Sequence, residues 1–377
     1  MKPIVRTIEK QISESLTSNK VLLLYGTRRV GKTYLVRTII EKLPNQPIVL
    51  NGEDMSVQES FKKRTIANYQ NMIGDAPLLI IDEAQAIPEI GKSLKLMIDA
   101  HPQLTILATG SSSLELANTS GEPLTGRQIP FYLYPIAQQE LNQNHLEARQ
   151  HLEERLIYGS YPEIFQISTA EKKAAYLQQL VQSYLLKDIL SYSGIRHSEK
   201  IYALLRLIAF QTGSEVSYQE LSNQLGISKI TVENYLDLLS KVFILFKLPA
   251  YTTNQRNEVT KTSKWYFYDN GVRNAVVNDF RIPAMRQDIG QLWESYMISE
   301  RIKKLRYDGS LTQFYFWRNY QQQEIDLIEY DNGTLRAFEI KYNSRKKVKT
   351  PSSFRISYPD TEVQLIEKEN YLEWLES

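Results

Sequence analysis

Gly26, Gly31, Lys32 and Thr33 complete the spacing G-x-x-x-x-G-K-T, which lets a loop fold its backbone amides around phosphate oxygens. The loop Gly26-Thr27-Arg28-Arg29-Val30-Gly31 follows the apolar run Val21-Leu22-Leu23-Leu24 and precedes an amphipathic stretch from Thr33 to Leu43. Strand, glycine-rich loop and helix therefore stand in the order a P-loop requires. In that setting the helix N-terminus adds its dipole, Lys32 reaches the β- and γ-phosphates, and the Thr33 hydroxyl ligates Mg²⁺. ATP and Mg²⁺ are the expected ligands. A second apolar run, Leu78-Leu79-Ile80-Ile81, ends in Asp82, placed to hold the Mg²⁺ shell, and Glu83, placed to take a proton from the attacking water. A third, from Leu104 to Ala108, ends in Thr109-Gly110-Ser111, whose hydroxyls can touch a γ-phosphate or position that water. Arg127 is a candidate for neutralising transition-state charge, supplied to a neighbouring subunit.

A second set of charged residues gathers on a hairpin. Glu324-Ile325-Asp326-Leu327-Ile328-Glu329 and Leu335 to Lys341 are joined by Asp331-Asn332-Gly333-Thr334, and Asn-Gly is a strong two-residue turn signal. With Asn332 and Gly333 as the turn, Asp326 faces Glu339 and Glu324 faces Lys341. Like charges directly opposed across a ladder are destabilising unless something neutralises them, and a divalent cation is the simplest candidate. Ile325, Leu327, Phe338 and Ile340 are expected on the opposite, apolar face. Arg345, Lys346 and Lys347 follow at once and could hold a phosphate backbone.

These residues need elements to hold them. The apolar runs alternate with amphipathic stretches, which predicts an α/β fold with a parallel sheet for the N-terminal part. From Ala170 to about Phe210 apolar residues recur at helical spacing. From Ser217 to Leu239 the pattern reads as helix, turn at Gly226, and a second helix capped by Ser228. A polar loop with Arg256, Lys261 and Lys264 then precedes Trp265-Tyr-Phe-Tyr, as in a winged helix. Its DNA-facing side would carry Lys229, Thr231, Asn234 and Tyr235, with the three loop cations on the wing. Glu233 and Asp237 on the same helix favour the competing use of such a module, docking a protein partner.

Composition agrees with a globular chain: 42% hydrophobic, 23% charged, formal net charge +2. No cysteine is present, so disulfides, thiolate zinc and a Cys nucleophile are excluded; neither haem nor zinc is expected, and a reducing, cytoplasmic compartment fits. No apolar run approaches the roughly 20 residues that span a bilayer. The near-neutral charge is a cancellation. Residues 166–280 carry a net +3 and residues 281–355 a net +5, masked by −1 in residues 1–165 and −5 in residues 356–377.

The P-loop with its Arg-Arg-Val insert, Ile-Asp-Glu-Ala-Gln, Thr-Gly-Ser-Ser, Leu-Thr-Gly-Arg and Tyr158-Gly-Ser-Tyr-Pro-Glu163 resemble the AAA+ ATPases of bacteria and archaea that carry an uncharacterised C-terminal domain. The resemblance covers residues 1 to roughly 275. It departs at Ser160, where the family usually has a second glycine. It implies a sensor role for Thr109 and Ser111, an arginine finger at Arg127, and a homo-oligomer such as a hexameric ring. The C-terminal pattern, Asp-x(12)-Glu-x-Lys preceded by a helical Glu, resembles the PD-(D/E)xK nuclease core. That resemblance implies Mg²⁺ held by Glu294, Asp326 and Glu339, with Lys341 positioning or activating water. The expected architecture is an AAA+-like ATPase domain (1–165), a helical lid (166–212), a winged helix (213–280) and a nuclease-like α/β domain (281–377). The expected function is ATP-driven remodelling or processing of DNA.

Overall fold

The computed structural model describes residues 3–17, 19–110, 124–185, 198–252, 263–343 and 350–377. Ser111, Arg256, Lys261, Arg345, Lys346 and Lys347 lie outside these. The chain divides into two compact units, one of residues 1–134 with 241–243, the other of residues 135–240 with 244–377.

In chain order the first unit holds α1 (Ile8–Ser15), β1 (Val21–Tyr25), α2 (Lys32–Glu41), β2 (Ile48–Asn51), α3 (Met55–Lys62) and α4 (Ile66–Ile73), then β3 (Leu78–Asp82), α5 (Ile90–Ala100), β4 (Thr105–Gly110) and β5 (Gln128–Tyr132). The five strands form one parallel sheet in the order β2-β3-β4-β1-β5. Helices on a parallel sheet cover its faces, which is why the inner strands read as unbroken apolar runs. Leu22, Leu23, Leu24, Leu79, Ile80, Ile81, Ile106 and Leu107 are all fully buried. Asp54 and Thr65 start α3 and α4 by accepting the amides of Ser56 and Asn68. Because the strands are parallel and β4 lies between β1 and β3, the P-loop, Thr109 and Asp82 leave the sheet at one edge.

The second unit begins with α6 (His145–Gln150), α7 (Leu152–Tyr158) and α8 (Ala170–Gln179). There follow α9 (Ser198–Phe210), β6 (Glu215–Val216), α10 (Tyr218–Leu225), α11 (Lys229–Lys241), β7 (Leu245–Pro249) and β8 (Ser263–Phe267), whose strands form an antiparallel sheet in the order β6-β8-β7. Gly226, at φ 63°, ends α10; the Ser228 hydroxyl accepts the Thr231 amide at 3.0 Å and so caps α11. Leu221, Leu225, Val232, Leu236 and Leu239 are buried, as the helical spacing requires.

Then come α12 (Asn270–Val277), α13 (Ile289–Tyr307), β9 (Gln313–Arg318), β10 (Glu324–Asp331), β11 (Thr334–Ile340), α14 (Ser352–Ser357), β12 (Val363–Ile366) and α15 (Tyr371–Glu376). Their sheet runs β12-β11-β10-β9, a meander whose last strand pairs parallel to β11.

The Asn332-Gly333 hairpin has the expected register, Leu327 facing Phe338 and Asp331 facing Thr334. The assignment of its apolar face needs one correction. Leu327, Phe338 and Ile340 pack in one core, but Ile325 packs in another with Ile328, Ala337, Trp317 and Phe354. A register irregularity against β9 between Ile325 and Ile328 breaks the strict alternation, as a bulge does.

The second compact unit runs across the positions 165, 212 and 280 that were expected to bound domains. One apolar cluster contains Leu152, Phe246, Tyr266, Trp293, Phe316 and Phe338, which were expected in three domains. Breaks in composition mark loops, whereas this core is assembled from residues nearly 200 positions apart.

Candidate functional site

The P-loop is shaped by two glycines and an arginine. A Cβ at Gly26 would overlap the Leu133 carbonyl, so β1 and the segment after β5 approach there as only glycine permits. Gly31, at φ 101°, turns the chain into α2. Arg6, buried at 5%, donates to the Val30 carbonyl at 3.0 Å and to the Tyr134 carbonyl at 2.6 Å, tying the loop to the segment beyond β5. Sequence reasoning missed Arg6, because nothing in its surroundings marks a contact 24 residues downstream.

Lys32 is 3% exposed, and its ammonium donates to the carbonyls of Gly26 at 2.9 Å and Thr27 at 3.1 Å. It is thereby held inside the loop it is meant to serve. Thr33 Oγ1 donates to Asp82 Oδ2 at 2.9 Å, joining the loop to the end of β3. Thr109, fully buried, donates to Asp82 Oδ1 at 2.5 Å and accepts the Glu83 amide at 3.0 Å. Both carboxylate oxygens of Asp82 are thus hydrogen-bonded to threonines. The Thr109 hydroxyl, expected to touch a γ-phosphate or position the attacking water, here orients the two acidic residues. Glu83 sits at φ 51° and its carboxylate accepts from the Gln85 side-chain amide.

These residues fit a nucleotide with its metal: a glycine-shaped loop, a buried cation, and a hydroxyl and carboxylate joined as Mg²⁺ requires. Arg127 lies elsewhere. It precedes β5, whose first residue pairs with the first residue of β1, so it stands at the opposite edge of the sheet from the P-loop. There it forms an ion pair with Asp99. It cannot meet phosphates bound by its own chain.

The C-terminal acidic residues also come together, with cations already among them. Asp326, 4% exposed, accepts from the Ile340 amide at 2.8 Å and from Lys341 Nζ at 3.1 Å; Lys341 also reaches Glu339 at 2.8 Å. Lys264 was expected on an exposed wing. It lies instead in β8, 1% exposed, 2.5 Å from Glu324 and 3.5 Å from Glu294. The apolar neighbours Trp265, Tyr266 and Phe267 pull this strand, and Lys264 with it, into the core. Tyr266 donates to Glu294 at 2.5 Å, and Arg318 bridges Glu215 and Glu324 at 3.6 and 3.5 Å.

Burial pushes the Glu294 carboxyl up to about 7, against the opposing pull of Lys264. Burial and then Asp326 raise Glu339. Lys264 is raised despite its burial, because Glu294, Glu324 and Asp326 surround it. Among the described residues no group of three or more His, Cys, Asp or Glu side chains is placed to hold a metal ion. Lys264 and Lys341 stand among Glu294, Asp326 and Glu339, the residues expected to hold a metal, and offset part of the negative charge gathered there. Lys264 and Tyr266 belong to this cluster and were not assigned to it from sequence; Glu324, expected opposite Lys341, pairs with Lys264 and Arg318.

On α11, Lys229 pairs with Glu233 at 3.7 Å and Thr231 with Ser228 at 2.8 Å; Asn234 is exposed. The exposed face also carries Ile230 and Asp237. Elsewhere in this unit, Asp269 caps α12 and accepts the Ser160 amide at 2.6 Å. A Cβ at Gly159 would overlap the Asp269 carboxylate, and one at Gly271 would overlap the Tyr158 carbonyl. The Tyr158-to-Glu163 motif therefore seats a buried carboxylate rather than a nucleotide.

Among the described residues no helix is long and apolar enough to cross a membrane. Comparison with known proteins matches three family models in succession. Residues 149–281 and 289–372 match domains of unknown function (DUF8612 and DUF4143), and residues 18–142 match an AAA domain. Relatives include uncharacterized proteins of Mycobacterium tuberculosis (26% identical, covering 91% of this chain and 75% of that protein) and Haemophilus influenzae (23%, covering 97% and 96%). Two solved structures are also similar. One is a signal-transduction ATPase with a tetratricopeptide repeat sensor from Pyrococcus horikoshii, at 15% identity and TM-score 0.22, covering 79% of this chain and 45% of that one. The other is the Drosophila origin recognition complex bound to AT-rich DNA and Cdc6, at 11% identity and TM-score 0.26, covering 72% and 90%. Scores this low define no shared overall fold. The parallel sheet, the P-loop and the matched family model together make residues 18–142 an AAA-type P-loop domain.

Proposed function

We propose that this chain is a Mg²⁺-dependent ATPase whose nucleotide cycle drives its second unit on DNA. The observation that carries the ATPase part is the hydrogen bond from Thr33 to Asp82, beside a buried Lys32. Lys32 would bind the β- and γ-phosphates, Thr33 and Asp82 would hold Mg²⁺, and Glu83 would take the proton from the attacking water. The metal, when bound, neutralises charge developing on the phosphates.

The DNA part is supported by element order. Helix, strand, helix, helix, strand, strand with a three-stranded antiparallel sheet is the arrangement of a winged helix, and α11 is its recognition helix. Lys229, Thr231 and Asn234 would meet DNA there, with Arg256, Lys261, Arg345, Lys346 and Lys347 supplying phosphate contacts. Lys264, buried in β8, is not part of that surface. The C-terminal sheet is read as a nuclease-like fold used for binding, since its carboxylates are paired with lysines. Arg127 would act, if at all, on the nucleotide of a neighbouring subunit. A second reading, docking of a protein partner, is favoured by Glu233, Asp237 and Ile230 on the exposed face of α11.

The test has two arms. Lys32→Ala is expected to weaken ATP binding at least about tenfold by titration calorimetry, whereas Glu83→Gln keeps binding and lowers kcat about 100-fold or more. Wild-type ATPase is expected to rise on adding duplex, branched or single-stranded DNA, with log affinity falling linearly with log salt. An ATPase rate indifferent to all three DNAs would move the assignment to the protein-docking reading.

A further inference from the structure

Gln85, two residues beyond Glu83, makes an unusual pair of commitments. Its side-chain amide donates to Glu83 Oε2, while its own carbonyl oxygen Oε1 is buried without a hydrogen-bond partner. A buried acceptor left unpaired costs roughly 1–3 kcal/mol, so native structures rarely keep one without a use. Its place is fixed by the backbone. Glu83 adopts φ 51° at the end of β3 and its amide is pinned by Thr109, after which Ala84–Ala86 form a single 3-10 turn. That turn folds the Gln85 side chain back onto the Glu83 carboxylate. The Gly52 amide donates to the Asp82 carbonyl at 2.8 Å and so pins the same turn from β2.

We infer that Gln85 is a second positioning residue for the water that attacks the nucleotide, acting beside Glu83. The inference deepens the ATPase reading and rests on it. The bond from Gln85 occupies Glu83 Oε2, which leaves Oε1 as the acceptor for a water proton. The unpaired carbonyl of Gln85, closed to water in the nucleotide-free chain, becomes the acceptor for the other proton when a bound nucleotide opens the site. A water whose two protons are both held has its lone pairs directed away from the acceptors, toward the phosphate. As the water oxygen forms its bond to the γ-phosphorus, the bond from that phosphorus to the bridging oxygen breaks. The bonding electrons leave with the diphosphate, one water proton passes to Glu83, and the other stays on the new phosphate. A glutamine can orient this water without competing for its proton, because an amide carbonyl is a weak base.

The experiment compares Gln85→Ala and Gln85→Glu with the wild-type chain. For Gln85→Ala we expect kcat to fall about 10- to 100-fold while the dissociation constant for ATP, measured by calorimetry, stays within twofold. Its melting temperature without nucleotide is expected to change little, because removing the unpaired acceptor offsets the lost bond to Glu83. In a Glu83→Gln background the same change should add less than twofold, as the two side chains act on one water. Gln85→Glu loses the amide donor that holds Glu83 and sets a second carboxylate against it, and should lower kcat at least as far as Gln85→Ala. Hydrolysis that Gln85→Ala leaves within twofold would overturn this inference alone. A loss of kcat matched by an equal loss of ATP affinity or by a lowered melting temperature would do the same, showing a structural role. A wild-type chain that binds ATP without hydrolysing it would overturn the ATPase reading with it.

Discussion

Glu294 shows what one side chain can reveal when its neighbours are named. Buried, and facing Lys264, Asp326, Glu324 and Tyr266, it holds its proton up to about 7, well above the usual carboxylate range. The folded state thus binds this proton more tightly than the unfolded chain. Its contribution favours folding below about pH 4.5 and is lost progressively as pH rises through 7. Glu294→Gln should remove that dependence: the stability of wild type relative to the variant should fall between pH 5 and pH 8 by at most about 3 kcal/mol, read from denaturant titrations. A difference independent of pH would contradict the assignment. From the sequence, Glu294 could be named as an acidic residue on a helix, and Asp326 and Glu339 as neighbours on a hairpin. Their partner Lys264 could not, because it arrives from a strand 60 residues before Glu324 with no local signal of its destination. Around the P-loop the reverse holds. Gly26 to Thr33, Asp82 and Glu83 are legible because each belongs to a short contiguous pattern, while the contacts of Arg6 and Gln85 appear only in the folded chain.

At the scale of elements, β8 is the piece whose role changed most between sequence and structure. Trp265, Tyr266 and Phe267 marked it as an apolar strand, but a strand can deliver its polar residues inward as well as outward. Here Lys264 and Tyr266 both reach carboxylates on α13 and β10. Removing one partner from a buried ion pair leaves the other charge uncompensated. Lys264→Met should therefore destabilise the chain by about 3–5 kcal/mol, and Glu294→Gln added to it should recover part of that loss. Thermal or denaturant unfolding of the single and double variants measures both. The Asn332-Gly333 hairpin illustrates the complementary case. Its register followed from the turn because a two-residue loop fixes pairing near it; the prediction failed for Ile325, at the far end, where a bulge against a third strand intervenes.

For the whole molecule, the cancellation of charge between segments holds, but not all of the positive excess is exposed. Lys264 contributes to the excess positive charge of residues 166–280, yet its charge is consumed internally, so less of that excess faces a polyanion than the sum suggests. Arg127, at the sheet edge away from the P-loop, fixes what assembly must do if it contributes to turnover. Specific ATPase activity should then rise with protein concentration and fall at least tenfold in Arg127→Ala. Activity unchanged on dilution and in the variant would assign Arg127 to its ion pair with Asp99. The core joining Leu152, Phe246, Trp293 and Phe338 was not legible, because it is a property of the folded chain and has no local trace. The bracket around Asp269 has a historical consequence. Gly159 and Gly271 are small because that carboxylate and the Tyr158 carbonyl fill the space a side chain would need. None of the three can change alone without a clash or an empty buried charge site, so lineages descending from a common ancestor should keep them together or lose them together.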